Sequence, residues 1–132
     1  MIRLQDLKVG DIVMAEFEGQ LRQGVVTDIN RENKEVAVET DIQEFWFTAD
    51  HLYPIPLSEE QLLKLGFEKQ ENDDGTVKYL KGAFRIFLPK KGDFSNLEIW
   101  WREDRRHLTN PISVHELQNH YLQMTKVELV PA

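Results

Sequence analysis

The chain has 132 residues, which suits one compact domain or two very small ones, and it contains no cysteine. The absence of cysteine excludes disulfides, thiol nucleophiles and cysteine-based zinc sites. The net charge of −7 is concentrated in residues 1–56, which carry 5 Lys or Arg against 11 Asp or Glu. This half of the chain is therefore a poor general binder of nucleic acid.

The segment MIRLQDLKVGD has no apolar stretch of the kind found in signal peptides. No apolar run in the sequence approaches the ~18 residues that a membrane helix needs. Together with the absence of cysteine, these features predict a cytoplasmic protein that does not enter a membrane.

The first part of the chain is predicted to form short β-strands. Residues 35–40 alternate between polar and apolar side chains, as a half-buried strand does. A glycine at position 24 predicts a bulge or a sharp bend within its strand. Pro54 and Pro56 favour extended chain and mark the best domain boundary. The pattern predicts a small antiparallel barrel over residues 1–56, with strands at 11–17, 21–30, 35–40, 43–48 and 53–55.

Two segments of this part resemble SH3-like barrels of the Tudor and KOW kind. Residues 7–13 contain Gly10, Asp11 and Val13 in the "G-D-x-V" pattern that leads into the first strand of such barrels. Residues 24–29 are similar to their second strand. The resemblance covers residues 7–55 and implies an SH3-like fold, which by itself carries almost no information about function.

Residues 57–132 are predicted to form a helix, an antiparallel β-meander and a second helix. Ser58 and Gln61 form a capping box at the start of the first helix, and Gly66 ends it. Strands follow at 67–70, 76–81, 83–88 and 96–101. A polar loop is predicted over 102–111, and the last helix from about Ser113 to Thr125. The fold class is therefore α+β, mostly antiparallel β, with two units at 1–56 and 57–132.

Two segments resemble an uncharacterised family of small proteins from Bacteroides-type gut bacteria and their phages. Residues 54–69 read PIPLSEEQLLKLGFEK, similar to the family's "IPLTEE-x-L-x-K-x-GF" helix. Residues 114–125 read VHELQNHYLQMT, similar to its closing "VH-x-LQN-x-Y" helix. The resemblance implies a shared fold and an association with mobile elements, and it implies no activity. The chain departs from the family at His120, where an apolar residue is usual, and at Lys126, where Gly is usual.

One cluster of aromatic and basic residues stands out in the second part of the sequence. Basic side chains next to stacking rings can bind single-stranded nucleic acid or an anionic peptide. Glu103 and Asp104 lie inside the cluster, so the alternative is a solvated hairpin edge with ion pairs worth ~0–1 kcal/mol. The residues of this candidate site are Trp100, Trp101, Arg102, Arg105 and Arg106.

A second aromatic group lies in the predicted strand at 43–48. Phe45 and Phe47 face one side of this strand, and Trp46 faces the other. Trp46 is therefore a candidate platform for a peptide or a methylated side chain, as in Tudor-like and SH3-like modules. The alternative, which the sequence favours, is that Trp46 packs against the second unit.

The histidines do not predict a metal site. His115 and His120 are five positions apart, which separates them by roughly 140° around a helix, so one ion cannot bind both. His115 and Asn119 are four positions apart and share a flank of the helix. They form either a polar surface for a partner or, as the sequence favours, hydrogen bonds that tie the helix to its neighbours.

The sequence contains no Gly-rich phosphate loop, no H-E-x-x-H and no G-x-S-x-G, so we expect no enzyme and no cofactor or metal. The predicted function is a non-enzymatic interaction module that binds a protein partner, as an accessory protein of a phage or mobile element. The first alternative is a nucleic-acid-associated factor using the cluster at 100–106, and the second is a small enzyme of unknown reaction. The predicted partner-binding residues are Trp46, Trp100, Trp101, Arg102, Arg105, Arg106, His115 and Asn119.

Overall fold

The computed structural model describes residues 2–132, and the chain divides into two compact units. The first comprises the chain up to Ile55 together with Ser113–His115, and the second comprises Pro56–Ile112 and Glu116–Ala132. The division differs from the predicted units at 1–56 and 57–132 in two places. Pro56 belongs to the second unit, and residues 113–115 belong to the first. The N–H of Val114 donates to the carbonyl of Ile55 at 2.8 Å, which ties this short segment to the first unit.

The first unit is an antiparallel sheet of five strands. They pair in the order β4-β3-β2-β1-β5, and no pairing between described residues closes the sheet. One 3₁₀ turn lies at Leu4–Asp6, and another, at Ala49–His51, connects β4 to β5. The strands are β1 (Ile12–Phe17), β2 (Gln20–Asn30), β3 (Glu35–Glu39), β4 (Glu44–Thr48) and β5 (Leu52–Tyr53).

Of the bulge or sharp bend predicted at Gly24, the bulge does not lie at that residue. Gly24 pairs in regular register with Val13 of β1, and the register between β2 and β3 shifts later, between Val26 and Asp28. The glycine is needed for another reason. A Cβ atom at this position would lie 2.7 Å from the carbonyl oxygen of Glu39 on β3, so only glycine lets the two strands approach this closely.

The second unit combines two helices with a five-stranded antiparallel meander. The strands pair in the order β10-β9-β8-β7-β6. The elements are α1 (Glu59–Lys64), β6 (Glu68–Glu71), β7 (Val77–Lys81), β8 (Phe84–Leu88), β9 (Leu97–Trp101), β10 (Asp104–Leu108) and α2 (Val114–Thr125). The predicted combination of helices with mostly antiparallel strands is confirmed at this level.

The loop predicted over 102–111 is wrong, because β10 occupies the middle of it. Arg102 adopts a left-handed backbone conformation (φ 57°) in the turn after β9, and the chain then pairs back along that strand. β10 is an edge strand with a polar composition, since its outer side chains meet water. The composition of this segment alone therefore resembles that of a loop.

The ends of both helices follow from local chemistry. The Oγ atom of Ser58 accepts a hydrogen bond from the N–H of Gln61 at 3.3 Å, so the predicted cap at the start of α1 is confirmed. Gly66 follows α1 with φ 89°, the left-handed conformation that a helix stop requires. Lys126 takes this conformation after α2 (φ 64°). Its N–H still donates to the carbonyl of Leu122 at 2.9 Å, and its left-handed backbone ends the helix here even without glycine.

The sheet of the second unit has one covered and one open face. On the covered face, the Phe84 ring lies 4.6 Å from the Tyr121 ring of α2 and 6.1 Å from Phe67. The residues buried on this face of the strands are Val77, Tyr79, Phe84, Ile86, Leu88, Leu97 and Ile99. The alternate positions of the same strands form the open face. None of the helices in residues 2–132 has both the length and the apolar character needed to span a bilayer.

Candidate functional site

Trp46 lies at the edge of the first sheet, on β4, and 47% of its surface is exposed. Phe47 on the same strand is buried in the core of the first unit, and Phe45 packs against that core. The Phe45 ring stacks on Phe17 of β1 with their centroids 4.6 Å apart. Trp46 therefore alternates with Phe45 and Phe47 along β4, as the sequence predicts.

A groove of about 490 Å³ lies beside β4, and we call it the acidic groove. One wall comes from the end of β1 and the turn after it, and the other from β3 and β4. The imidazole Nδ1 of His51 lies 3.7 Å from a carboxylate oxygen of Glu16 at one side of the groove. The lining residues are Glu16, Phe17, Glu18, Gly19, Glu35, Phe45, Trp46, Phe47, Thr48 and His51.

The acidic groove combines aromatic rings with carboxylates. Glu16, Glu18 and Glu35 supply three carboxylates, and no Lys or Arg is among the lining residues. Phe17 and Phe45 also line a neighbouring pocket of about 260 Å³, so the stacked pair separates the two spaces. Aromatic faces and carboxylates both attract cations, so the chemistry of this groove suits a positively charged side chain.

The open face of the second sheet carries the other aromatic group. The rings of Trp100 on β9 and Phe87 on β8 stack with centroids 5.4 Å apart and an interplanar angle of 21°. The guanidinium of Arg105 lies 4.7 Å from the Trp100 centroid, and the ammonium of Lys78 lies 5.4 Å from it. The buried indole N–H of Trp100 has no hydrogen-bond partner in the part of the chain described.

One end of this open face forms a pocket of about 270 Å³, which we call the arginine pocket. It is lined by Ala83, Arg85, Trp100, Arg102 and Arg105, with no carboxylate among them. Arg85 and Arg105 are the residues directly opposite Trp100 on its two neighbouring strands. The structure therefore brings together Trp100, Arg102 and Arg105 from the predicted cluster and adds Arg85.

Trp101 and Arg106 belong to the opposite face of the sheet. The Arg106 Nη1 lies 2.9 Å from Nδ1 of His120 and donates to Oε1 of Gln123 at 3.0 Å, and both partners are on α2. Burial, together with the nearby Arg106 charge, lowers the pKa of His120, which favours the neutral ring, whose Nδ1 can accept from Arg106. Trp101 is half-buried, and the Arg102 guanidinium lies over its ring, 4.9 Å from the ring centroid. The predicted cluster is thus divided between two faces.

His115 is buried, with 5% of its surface exposed, and its Nδ1 lies 2.9 Å from Oγ of Ser113. Asn119, four residues later on α2, is half-buried. The prediction that His115 and Asn119 form a surface for a partner is therefore wrong for His115, whose side chain is buried. No group of three or more His, Cys, Asp or Glu within residues 2–132 is placed to hold a metal ion.

Sequence reasoning missed several residues of both sites. Arg85 and Phe87 were visible only as alternate residues of a predicted strand, and their position beside Trp100 depends on the order of β8 and β9. The carboxylates of the acidic groove come from three separate segments of the chain. The period-two pattern identifies the outward side of each strand, but it does not identify neighbouring strands.

Comparison of the sequence with protein-family models gives no match, and comparison with curated proteins gives none either. The resemblance to small proteins of Bacteroides-type bacteria and their phages therefore stays a prediction.

Proposed function

We propose that the protein is a non-enzymatic interaction module whose first unit binds a basic, extended segment of a protein partner in the acidic groove. The observation that carries this proposal is a single groove lined by the exposed Trp46, the stacked Phe17 and Phe45 and three carboxylates, with no lysine or arginine. A lysine or arginine side chain would place its charge over an aromatic face and near a carboxylate. Each such cation–π contact contributes about 0.5–2 kcal/mol.

The electrostatics of the first unit support the same class of partner. Residues 1–56 have a net charge of −6, obtained from 5 Lys or Arg and 11 Asp or Glu. A basic segment would be attracted to this surface at long range and would associate faster at low ionic strength. An acidic segment would meet repulsion from Glu16, Glu18 and Glu35.

We infer an SH3-like module for the first unit, supported by five short antiparallel strands and by the 3₁₀ turn between β4 and β5. SH3-like and Tudor-like modules bind extended peptides or methylated side chains through exposed aromatic rings. A role as an accessory protein of a phage or mobile element rests on the resemblance of residues 54–69 and 114–125 alone, and cytoplasmic residence rests on the sequence.

A peptide-binding experiment with matched variants tests the proposal. The probe is a fluorescently labelled peptide of alternating Lys and Ser, titrated at low ionic strength and followed by fluorescence anisotropy. We expect Trp46→Ala to weaken binding by about 1–2 kcal/mol, or roughly 5- to 30-fold. Tyr53→Ala is the matched control, because Tyr53 is an exposed aromatic residue of the same unit that does not line the groove.

The carboxylates are tested in the same way. Glu35→Gln should weaken binding and reduce its salt dependence, whereas Glu39→Gln should change both far less. Both residues lie on β3, but only Glu35 lines the groove. Equal binding by the Trp46 and Tyr53 variants would overturn the proposal. A labelled peptide of alternating Glu and Ser that binds as tightly as the basic one would overturn it too.

A further inference from the structure

The arginines of this protein fall into two groups. Of the seven in the sequence, four have polar partners: Arg3 pairs with Asp6, Arg22 with Asp41, Arg31 donates to the carbonyl of Leu7, and Arg106 binds His120 and Gln123. Within residues 2–132, the guanidinium groups of the other three have neither a hydrogen bond nor an ion pair. They are Arg85, Arg102 and Arg105, and all three line the arginine pocket.

The sheet and its last turn bring these three arginines to one pocket beside Trp100. Arg85 projects from β8 and Arg105 from β10, each directly opposite Trp100 of β9. Arg102 enters from the turn between β9 and β10, where its backbone is left-handed. Arg105 rests over the Trp100 ring and Arg102 over the Trp101 ring, at 4.7 and 4.9 Å. The rings hold both guanidinium groups in place, so less side-chain entropy is lost on binding.

The pocket has an unbalanced positive charge in a protein whose net charge is −7. Three like charges that line one pocket without a carboxylate repel one another, and an anion bound in the pocket would relieve that repulsion. A carboxylate carries one negative charge, whereas a phosphate monoester carries nearly two near neutral pH and accepts several hydrogen bonds. Guanidinium groups match phosphate oxygens in a bidentate geometry.

We propose that Arg85, Arg102 and Arg105 form a binding site for the phosphate group of a small phosphate monoester. The charges around the pocket favour a compact ligand over a polynucleotide. Glu98 lies on the same open face beside Phe87, and the second unit has 12 Asp or Glu against 11 Lys or Arg in residues 57–132. A long polyanion would extend over these carboxylates, while one phosphate meets only the pocket.

The site is separate from the acidic groove, since it is built by the second unit and would bind an anion, whereas the groove would bind a cation. The test is isothermal titration calorimetry of the full chain with inorganic phosphate and with phenyl phosphate at low ionic strength. We expect one site per chain. Arg85→Gln, Arg102→Gln and Arg105→Gln should each weaken binding by about tenfold. Arg22→Gln removes the same charge from the first unit and should change the affinity less than about twofold.

Three further arms decide the class of ligand. Acetate should bind much more weakly than phosphate, and a phosphorylated peptide should bind no more tightly than phenyl phosphate. Single-stranded oligonucleotides of increasing length should gain no affinity per added nucleotide. The proposal is overturned if acetate matches phosphate, if oligonucleotide affinity grows with length, or if the pocket variants behave like Arg22→Gln. The far-UV circular dichroism of each variant should match that of the parent, and the three single variants ensure that one unfolded variant does not decide the outcome.

Discussion

Replacing Gly24 by Ala should destabilise the first unit, because there is no room for a side chain between β2 and β3. An added Cβ would lie 2.6 Å from Cγ1 of Val38 and 2.7 Å from the carbonyl oxygen of Glu39. Val38 is fully buried and cannot turn away, and the carbonyl belongs to the backbone of the neighbouring strand. The two strands would therefore have to separate by several tenths of an ångström.

The expected magnitude follows from two opposing effects. Overpacking of a well-packed core costs about 1–3 kcal/mol, and contact with backbone places this site at the upper end of that range. The loss of glycine's flexibility in the unfolded chain returns about 0.4–1 kcal/mol. The overlap is the larger effect, so we expect a net loss of about 2 kcal/mol in the free energy of unfolding. For a chain of this length, the melting temperature should fall by roughly 6–10 °C.

Urea unfolding followed by far-UV circular dichroism measures this loss. Amide hydrogen exchange then shows whether β2 and β3 are the strands that lose protection. Gly19→Ala serves as the control, because no atom lies within 4 Å of a Cβ at that position and only its positive φ of 79° opposes the change. The reasoning is refuted if Gly24→Ala stays within about 0.5 kcal/mol of the parent. It is also refuted if Gly24→Ala proves less destabilising than the control.

Three further predictions concern stability. Burial raises the pKa of Asp11, which is fully buried, against the opposing effect of its hydrogen bond and ion pair with Lys8. The stabilising contribution of this group is therefore complete below its unfolded pKa of about 3.8 and is lost as the pH rises through the folded pKa. Urea unfolding from acid to neutral pH should show the parent losing stability relative to Asp11→Asn, and the opposite slope would contradict the assignment. Ser58→Ala removes the cap of α1 and should cost about 1 kcal/mol in thermal unfolding, while Ser58→Asp should retain most of it. Gln118 is fully buried, and its Nε2 donates to the carbonyl of Leu129 at 3.0 Å. Gln118→Met should therefore cost about 1–3 kcal/mol in the free energy of unfolding and expose the C-terminal segment to proteolysis. Unchanged protection of that segment would argue against a stabilising role for this bond.

The parts of the fold that the sequence predicts correctly are those with local causes. The cap of α1 depends on Ser58 and Gln61 alone, three positions apart, so sequence spacing is sufficient. The strand containing Phe84 and Ile86 is identified by alternating side chains within five residues. β10 was missed because its edge position lets it carry polar side chains on its outer face, and pairing with β9 stabilises it instead of an apolar pattern.

The candidate sites depended far more on tertiary structure. Adjacent residues in a strand point to opposite faces, so Trp100 and Trp101 separate, as do Arg105 and Arg106. The arginine pocket needs Arg85, which is 15 positions before Trp100 in the sequence and directly opposite it in the sheet. No local pattern contains that neighbour, because strand order and register decide it.

By itself, the sequence determined which residues could form strands and helices, where α1 begins, and that the first half carries most of the net negative charge. These properties follow from spacing and composition, which are local or additive along the chain. Only the tertiary structure decided that Trp46 lines one groove with the stacked Phe17 and Phe45, and that the three arginines whose guanidinium groups lack polar partners share one pocket. Binding chemistry arises where distant segments meet, and their meeting is set by the pairing and packing of the whole sheet.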